Sequence, residues 1–199
     1  MMSAVRFMID RKQKRGFNEF VRFDIVLRAM RKEDWLAVHE WASSEAVSRY
    51  QVWGPNTARE TQEFVDQAVA AWRAQPQDRY AWIAEADGAA VGIGELKITS
   101  AAWQQGEISY VVHIKRWGEG IATAIATKLL GYAFEDLKLH RVVATCDPRN
   151  LASEAVLKKV GMTYEGRLRH TIKLRDGWRD SNLYSMLSTE WATPLDGDL

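Results

Sequence analysis

The sequence has a single cysteine, Cys146, in 199 residues. That excludes an internal disulfide and fits a reducing compartment. Charge of one sign is missing too: the formal net charge is +1, too small for a global field that would recruit nucleic acid or an anionic membrane. Long apolar runs are absent. The most apolar stretch, Ile121 to Leu137, is broken by Thr123, Thr127 and Lys128, and nothing approaches the roughly 20 apolar residues of a membrane span. The start carries a basic cluster, Arg11, Lys12, Lys14 and Arg15, without the apolar run of a signal peptide, and Asp10 and Glu19 argue against an acid-poor transit peptide. The four histidines, His39, His113, His140 and His170, show no metal-like spacing, and Cys146 has no neighbour at ligand distance in sequence. No metal site and no cysteine nucleophile is therefore expected. What these absences leave is a cytoplasmic globular chain, 47% hydrophobic, able to bury one sizeable core. Residues 1–23 are expected to be a basic extension, partly ordered at best, 24–192 the domain and 193–199 a tail.

Periodicity divides the domain. "IVLRAM" reads as a first strand, and "RKEDWLAVHEWASS" as a helix with Trp35, Leu36, Val38, His39 and Trp41 on one period. Gly54-Pro55 breaks the chain before a helix from about Ala58, which Asn56 or Thr57 can cap. Two alternating strands then flank Asp87-Gly88, a hairpin signature. "GEISYVVHI" is a further strand. "LHRVVATCD" is the next, followed by the helix "LASEAVLKKV", and two long strands meet at Asp176-Gly177. The order β-α-α-β-β-β-α-β-α-β-β makes one α/β domain without linker or repeat. It implies a mixed sheet of about seven strands with about four helices. The strand–helix–strand unit Glu107–Asp147 requires a crossover between parallel strands.

"RWGEGIATAIATKLLGYAF" poses the functional question. From Ile121 the apolar residues Ile121, Ala122, Ile125, Ala126, Leu129, Leu130, Ala133 and Phe134 form a double row of helical period. Gly118 and Gly120 thus stand at a helix entrance, where backbone N–H groups lack partners and anions bind. Ligands of open α/β sheets also lie at the carboxyl ends of such strands. A P-loop is excluded, because Ile121 and Ala122 follow Gly120 where Lys and Ser or Thr are required. A dinucleotide fingerprint fits poorly, because Thr123 replaces the third glycine.

"WGEGIA", Trp117 to Ala122, resembles the (Q/R)xxGx(G/A) pyrophosphate loop of the GNAT superfamily of acyl-CoA-dependent N-acyltransferases. The segments "EISYVVHIKRWGEGIATAIATKLLGYAF", "NLASEAVLKKVGM", "YEGRLR", "DGWRDSNLYSML" and "EW" are most similar to its RimJ/RimL-like branch. That branch acetylates N-terminal amines of ribosomal proteins and also contains acetyltransferases of antibiotics and other small amines. The resemblance spans about Ile25 to Trp191. It implies an acetyl-CoA-dependent N-acetyltransferase without a metal. CoA contacts are implied at Val111, Val112, His113, Trp117, Gly118, Glu119, Gly120, Ile121, Ala122, Thr123, Asn150 and Ser153. In this branch the asparagine holds the pantetheine arm and the serine lies near the thioester sulfur. Two positions depart from the superfamily. Trp117 replaces the usual Gln or Arg, leaving phosphate contacts to backbone N–H groups, and Leu157 replaces a tyrosine proposed as general acid.

Glu107 and Ser153 are the candidate catalytic residues. Alternation in "EISY" puts Glu107 and Ser109 on one face and Ile108 and Tyr110 on the other. Glu107 would take the proton of the attacking amine, Ser153 would hydrogen-bond the departing thiolate, and Tyr184 is a fallback acid. A lysine-like amine costs roughly 4–5 kcal/mol to deprotonate at pH 7 and an α-amine roughly 1, which favours a peptide N-terminus as acceptor over a small-molecule amine. Tyr50, Trp53 and Trp103 are expected to wall the acceptor pocket, since loop aromatics beside a site do so. A non-catalytic acyl-CoA sensor is the competing class. A homodimer remains open.

Overall fold

A computed structural model gives the architecture and describes residues 25–191. The basic extension and the C-terminal tail expected from the sequence lie outside the described residues. Seven strands, β1 (Val26–Ala29), β2 (Arg79–Ala86), β3 (Ala89–Ser100), β4 (Gln105–Val112), β5 (Arg141–Cys146), β6 (Thr163–Leu174) and β7 (Gly177–Leu187), form one sheet in the order β1-β2-β3-β4-β5-β7-β6. Six α-helices are described: α1 (Trp35–Ala42), α2 (Glu45–Ser48), α3 (Ala58–Ala71), α4 (Ile121–Gly131), α5 (Leu151–Lys159) and α6 (Ser188–Trp191). The single domain with a mixed seven-stranded sheet expected from the sequence is therefore found, with four long helices. Two helices of a single turn each, α2 and α6, are added, too short for periodicity to reveal.

Local chemistry explains the boundaries. Thr57 caps α3 through a reciprocal pair: its Oγ1 accepts from Glu60 N at 3.3 Å, while Glu60 Oε2 accepts from Thr57 N at 2.7 Å. Asp87 and Gly88 both take positive φ, 52° and 77°, as a two-residue hairpin turn of the primed type requires. Beyond Gly131 the helix widens into one π turn, Tyr132–Asp136, that keeps Ala133 and Phe134 buried on the face expected for them.

The sheet is covered on both faces, so β2 is buried almost throughout and does not alternate in polarity. On one face Tyr80, Trp82 and Ala84 pack with Ile108, Ile121, Ile125, Leu129 and Leu157 under α4 and α5. On the other, Ala81, Ile83 and Ile93 pack with Val38, Trp41 and Val65 of α1 and α3. Each fully buried Ile or Leu contributes roughly 1.5–3 kcal/mol. Helix α4 lies close on β3 because Gly94 has no side chain: a Cβ there would stand 2.8 Å from Ile125 Cγ2.

One seam governs function. Every neighbouring strand pair is antiparallel except β4–β5, which run parallel. They pair only at Gln105–Arg141, Gly106–Val142 and Glu107–Val143. Beyond Glu107 the strands part, β4 staying with β3 as far as Val112 and β5 with β7 as far as Cys146. A wedge opens at the carboxyl ends of both, leaving β5-facing peptide groups of Ile108–Val112 without a ladder partner.

Candidate active site

The wedge is flanked by two helix entrances. On the β4 side the chain passes through a short 3-10 turn, Ile114–Arg116, into the glycine loop. Gly118 and Gly120 take φ of +80° and +83°, which explains why two glycines are needed: both residues are left-handed. Gly120 is the N-cap of α4, no side chain caps it, and no acidic residue lies in the first turn. A Cβ on Gly118 would meet nothing within 4 Å. No side-chain cap and no acidic residue therefore competes for the first-turn N–H groups of Ile121, Ala122 and Thr123, as a pyrophosphate cradle demands. Trp117, 52% exposed, donates its indole N–H to Val112 O at 2.9 Å and ties the loop to the end of β4. Arg116 and Glu119 form an ion pair at 2.6 Å across the loop.

His113 is turned inward rather than toward the wedge. Its Nδ1 accepts from Lys115 N at 3.1 Å, its ring packs edge-on against Trp41, and its backbone N–H donates to Val91 O. Val112 is buried in the core, and Val111 packs on the α1–α3 side.

On the β5 side, Asn150 caps α5, its Oδ1 accepting from Ser153 N at 3.1 Å. That occupies the amide oxygen and leaves the amide NH2 as a donor, so capping and ligand binding are compatible. Ser153 Oγ lies 3.1 Å from the hydroxyl of Tyr110, which is also 3.3 Å from Ser153 O. Tyr110 reaches from β4 to α5 along the α4–α5 face, and burial pushes its phenol well above the usual range. Sequence reading placed Tyr110 with Ile108 on the face opposite Glu107, without giving it a role. Its partner lies 43 residues away, and only the docking of α5 joins them.

Glu107 sits at the last rung of the seam, half-buried, on the face of Val111 and opposite Lys97 in register. Glu107 and Ser153 therefore approach from opposite faces, and the wedge is where the two faces communicate. Leu157, in the position of the superfamily tyrosine, is buried and apolar. Tyr184 is 1% exposed, its phenol pushed up to about 12 by burial and then by a hydrogen bond to Glu154. Burial likewise pushes the Cys146 thiol up to about 11, with Glu154 adding to the effect. That keeps it protonated near neutrality.

The three expected pocket aromatics part company. Tyr50 reaches the site's surroundings, its ring beneath the Arg149 guanidinium at 5.7 Å and its carbonyl accepting from Arg179 Nη1 at 3.1 Å. Trp53 packs against the core between α1 and α3. Trp103, 74% exposed, lies in the turn before β4. Eight residues of strand, about 26 Å, separate that turn from the glycine loop.

A cavity of about 350 Å³ adjoins the end of β5, lined by Asp147, Arg149, Arg167, His170, Trp178 and Arg179 among others. Asp147 is buried, yet four contacts from Arg149 hold it: the backbone N–H at 2.8 Å, Nη2 at 2.8 Å, and Nε at 3.0 and 3.3 Å. Burial works against ionisation of this carboxylate, and these bonds overcome it, leaving its pKa below the usual range. The "DPR" turn was a readable signal, because an Asp side chain that accepts from the backbone two residues on is a common turn device. Its significance was missed. Among the described residues, no group of three or more His, Cys, Asp or Glu could hold a metal ion, and no helix is long and apolar enough to cross a membrane.

Comparison with known proteins agrees with this geometry. The profile of the Acetyltransferase (GNAT) domain matches residues 24–163. The putative ribosomal N-acetyltransferase YdaF of Bacillus subtilis is 34% identical over 105 residues, 53% of this chain and 57% of the relative. The spermidine N(1)-acetyltransferase of Escherichia coli is 25% identical over 158 residues, 79% of this chain and 82% of the relative. The structure of Mycobacterium smegmatis RimJ with CoA-disulfide superposes with a TM-score of 0.76 at 27% identity, covering 85% of this chain and 84% of that one. A parted β4–β5 pair, a side-chain-free helix entrance beside it and a domain profile spanning both make the chain a member of the GNAT acetyltransferase family, a RimJ/RimL-like N-acetyltransferase that uses acetyl-CoA.

Proposed function

We propose that the protein transfers the acetyl group of acetyl-CoA to an N-terminal peptide amine by direct attack on the thioester. The observation that carries this reading is the wedge itself. It brings a helix entrance suited to phosphates, an amide donor at Asn150 and a hydroxyl at Ser153 to one side, and the Glu107 carboxylate to the other. The amine nitrogen attacks the carbonyl carbon, the C–S bond breaks, and the amine proton leaves toward Glu107, directly or through water. The departing thiolate takes a hydrogen bond from Ser153 Oγ, which the Tyr110 hydroxyl holds in place from 3.1 Å. No covalent enzyme intermediate is needed, since holding two substrates together supplies much of the acceleration. The likeness to a putative ribosomal N-acetyltransferase favours the peptide acceptor, and the low deprotonation cost of an α-amine suits a single weak base. The likeness to a spermidine acetyltransferase favours the alternative, a small-molecule amine.

Incubating the protein and acetyl-CoA with matched peptides and small amines, with mass detection of product, decides between them. Acetylated peptide N-termini are expected. Turnover of small amines alone would reverse the ranking, and CoA binding without thiol release against any amine would favour a sensor.

Two substitutions test the assigned roles. Glu107→Gln is expected to lower kcat/KM most at the acid end of the pH profile, where deprotonated amine is scarce and a base helps most. An unchanged rate and profile would make Glu107 structural. Tyr110→Phe is expected to lower kcat several-fold, roughly the worth of one neutral hydrogen bond. Added to Ser153→Ala it should cost little more, because the two hydroxyls act as a unit. Additive losses would separate Tyr110 from Ser153.

A further inference from the structure

The cavity at the end of β5 carries an imbalance that the acetyl-transfer reading does not use. Its carboxylates are spoken for: Asp147 and Asp176 are held by Arg149, and Asp180 by Arg167 at 2.7 Å. Arg179 is the exception. It stands half-buried on β7, where alternation puts Arg179 and Ser181 on the face opposite Tyr184 and Met186, hence on the face of Glu107. Its guanidinium meets only neutral acceptors, Tyr50 O at 3.1 Å and Ser181 Oγ at 3.2 Å. Its Nε–H is buried with no partner among the described residues. Burial lowers its pKa, and Asp147 only partly opposes this. A desolvated cation without a carboxylate partner is costly, and an incoming anion offsets that cost.

The surroundings have the same sign. Between Arg167 and Asp180 the hairpin carries Arg167, Arg169, Lys173, Arg175 and Arg179 against Asp176 and Asp180. The cavity is also joined directly to the reaction site. Asp147 O accepts from Asn150 N at 2.8 Å, and Asn150 caps the helix bearing Ser153. Trp178 stacks on His170 with an interplanar angle of 19°, giving the rim an apolar wall for the body of a small or peptidic acceptor.

We infer that this cavity selects acceptor amines that carry a carboxylate close to the amine, with Arg179 pairing that carboxylate. The inference rests on the acetyl-transfer reading. It gives the cationic hairpin a second use, because a positive field lowers the pKa of a bound ammonium and favours its nucleophilic form. A polyamine enters the same field as a like charge and is disfavoured.

The test compares matched acceptors with the wild-type protein and acetyl-CoA, following thiol release. The pairs are a free amino acid against its carboxamide, and a peptide with Asp or Glu at its second position against the Asn or Gln counterpart. Spermidine is the cationic comparator. The carboxylate member is expected to have the higher kcat/KM by at least about tenfold, in line with a charge-assisted contact, and the pair that shows it identifies the source of the carboxylate. Arg179→Gln is expected to bring the two members within about twofold of each other, and Arg179→Lys to keep part of the preference. Equal or better turnover of the carboxamides or of spermidine by the wild-type protein would overturn the inference and leave the transferase reading intact. Discrimination retained in a folded Arg179→Gln protein would do the same. Absence of thiol release with every amine would overturn the transferase reading, and this inference with it.

Discussion

Replacing Gly120 by valine is expected to raise the KM for acetyl-CoA by about two orders of magnitude, with a much smaller fall in kcat. Two effects add. Gly120 holds φ +83° as the N-cap of α4, a conformation costing a β-branched residue roughly 1–3 kcal/mol. Relief of that strain turns the first-turn N–H groups away from the phosphates. The new side chain also stands where the backbone must approach the ligand. About 2.7 kcal/mol of lost binding corresponds to the hundredfold change. Calorimetric titration with acetyl-CoA and a melting curve on the same protein separate weakened binding from unfolding. Gly118→Ala makes the comparison sharper. Its Cβ meets no protein atom, so affinity lost beyond the backbone strain comes from the ligand's own position. A Gly120→Val protein binding acetyl-CoA within about twofold of wild type would remove the loop from the CoA site.

Ser153→Ala is expected to lower kcat by about a hundredfold while the KM for acetyl-CoA shifts by no more than about threefold. A hydroxyl aimed at the departing sulfur contributes only as charge develops there, so its loss appears in kcat and kcat/KM together. Removal of a single donor to a developing anion typically costs a factor of this size. The helix itself should tolerate the change, because its cap is formed by Asn150 Oδ1 and the Ser153 backbone N–H, which alanine retains. Steady-state kinetics over a range of acetyl-CoA concentrations reads the split. An effect confined to KM would reduce Ser153 to a helix-surface residue beside the pantetheine arm.

What could be read in advance was local. The Asp87–Gly88 turn, the Thr57 cap, the period of α4 and the pair Gly118–Gly120 are each decided by a few neighbouring residues, and each lies where its chemistry requires. The candidate site was legible as far as it rests on such segments. What was not legible depends on distant parts of the chain meeting. Tyr110 finds Ser153 across 43 residues, and Arg179 finds the carbonyl of Tyr50 across 129. Periodicity gave the facing of Tyr110 but nothing about what α5 would lay against it. Trp103 is a different lesson. The turn joining two antiparallel strands must lie at the start of the second, so a loop before β4 belongs at the opposite end of the sheet from the glycine loop after it.

The three-rung seam also bears on how the protein acquires its site. The β2–β3–β4 meander and the β6–β7 hairpin join strands close in sequence and close short loops, whereas β4 and β5 meet only after the whole of α4 has been laid between them. The sheet is thus two antiparallel halves fastened by three residue pairs and a crossover helix, and the apex of the wedge, Glu107 included, exists only where those halves are docked. Without those three pairs the glycine loop and both half-sheets would remain but the wedge would not, so acyl transfer reports on the docking of the two halves.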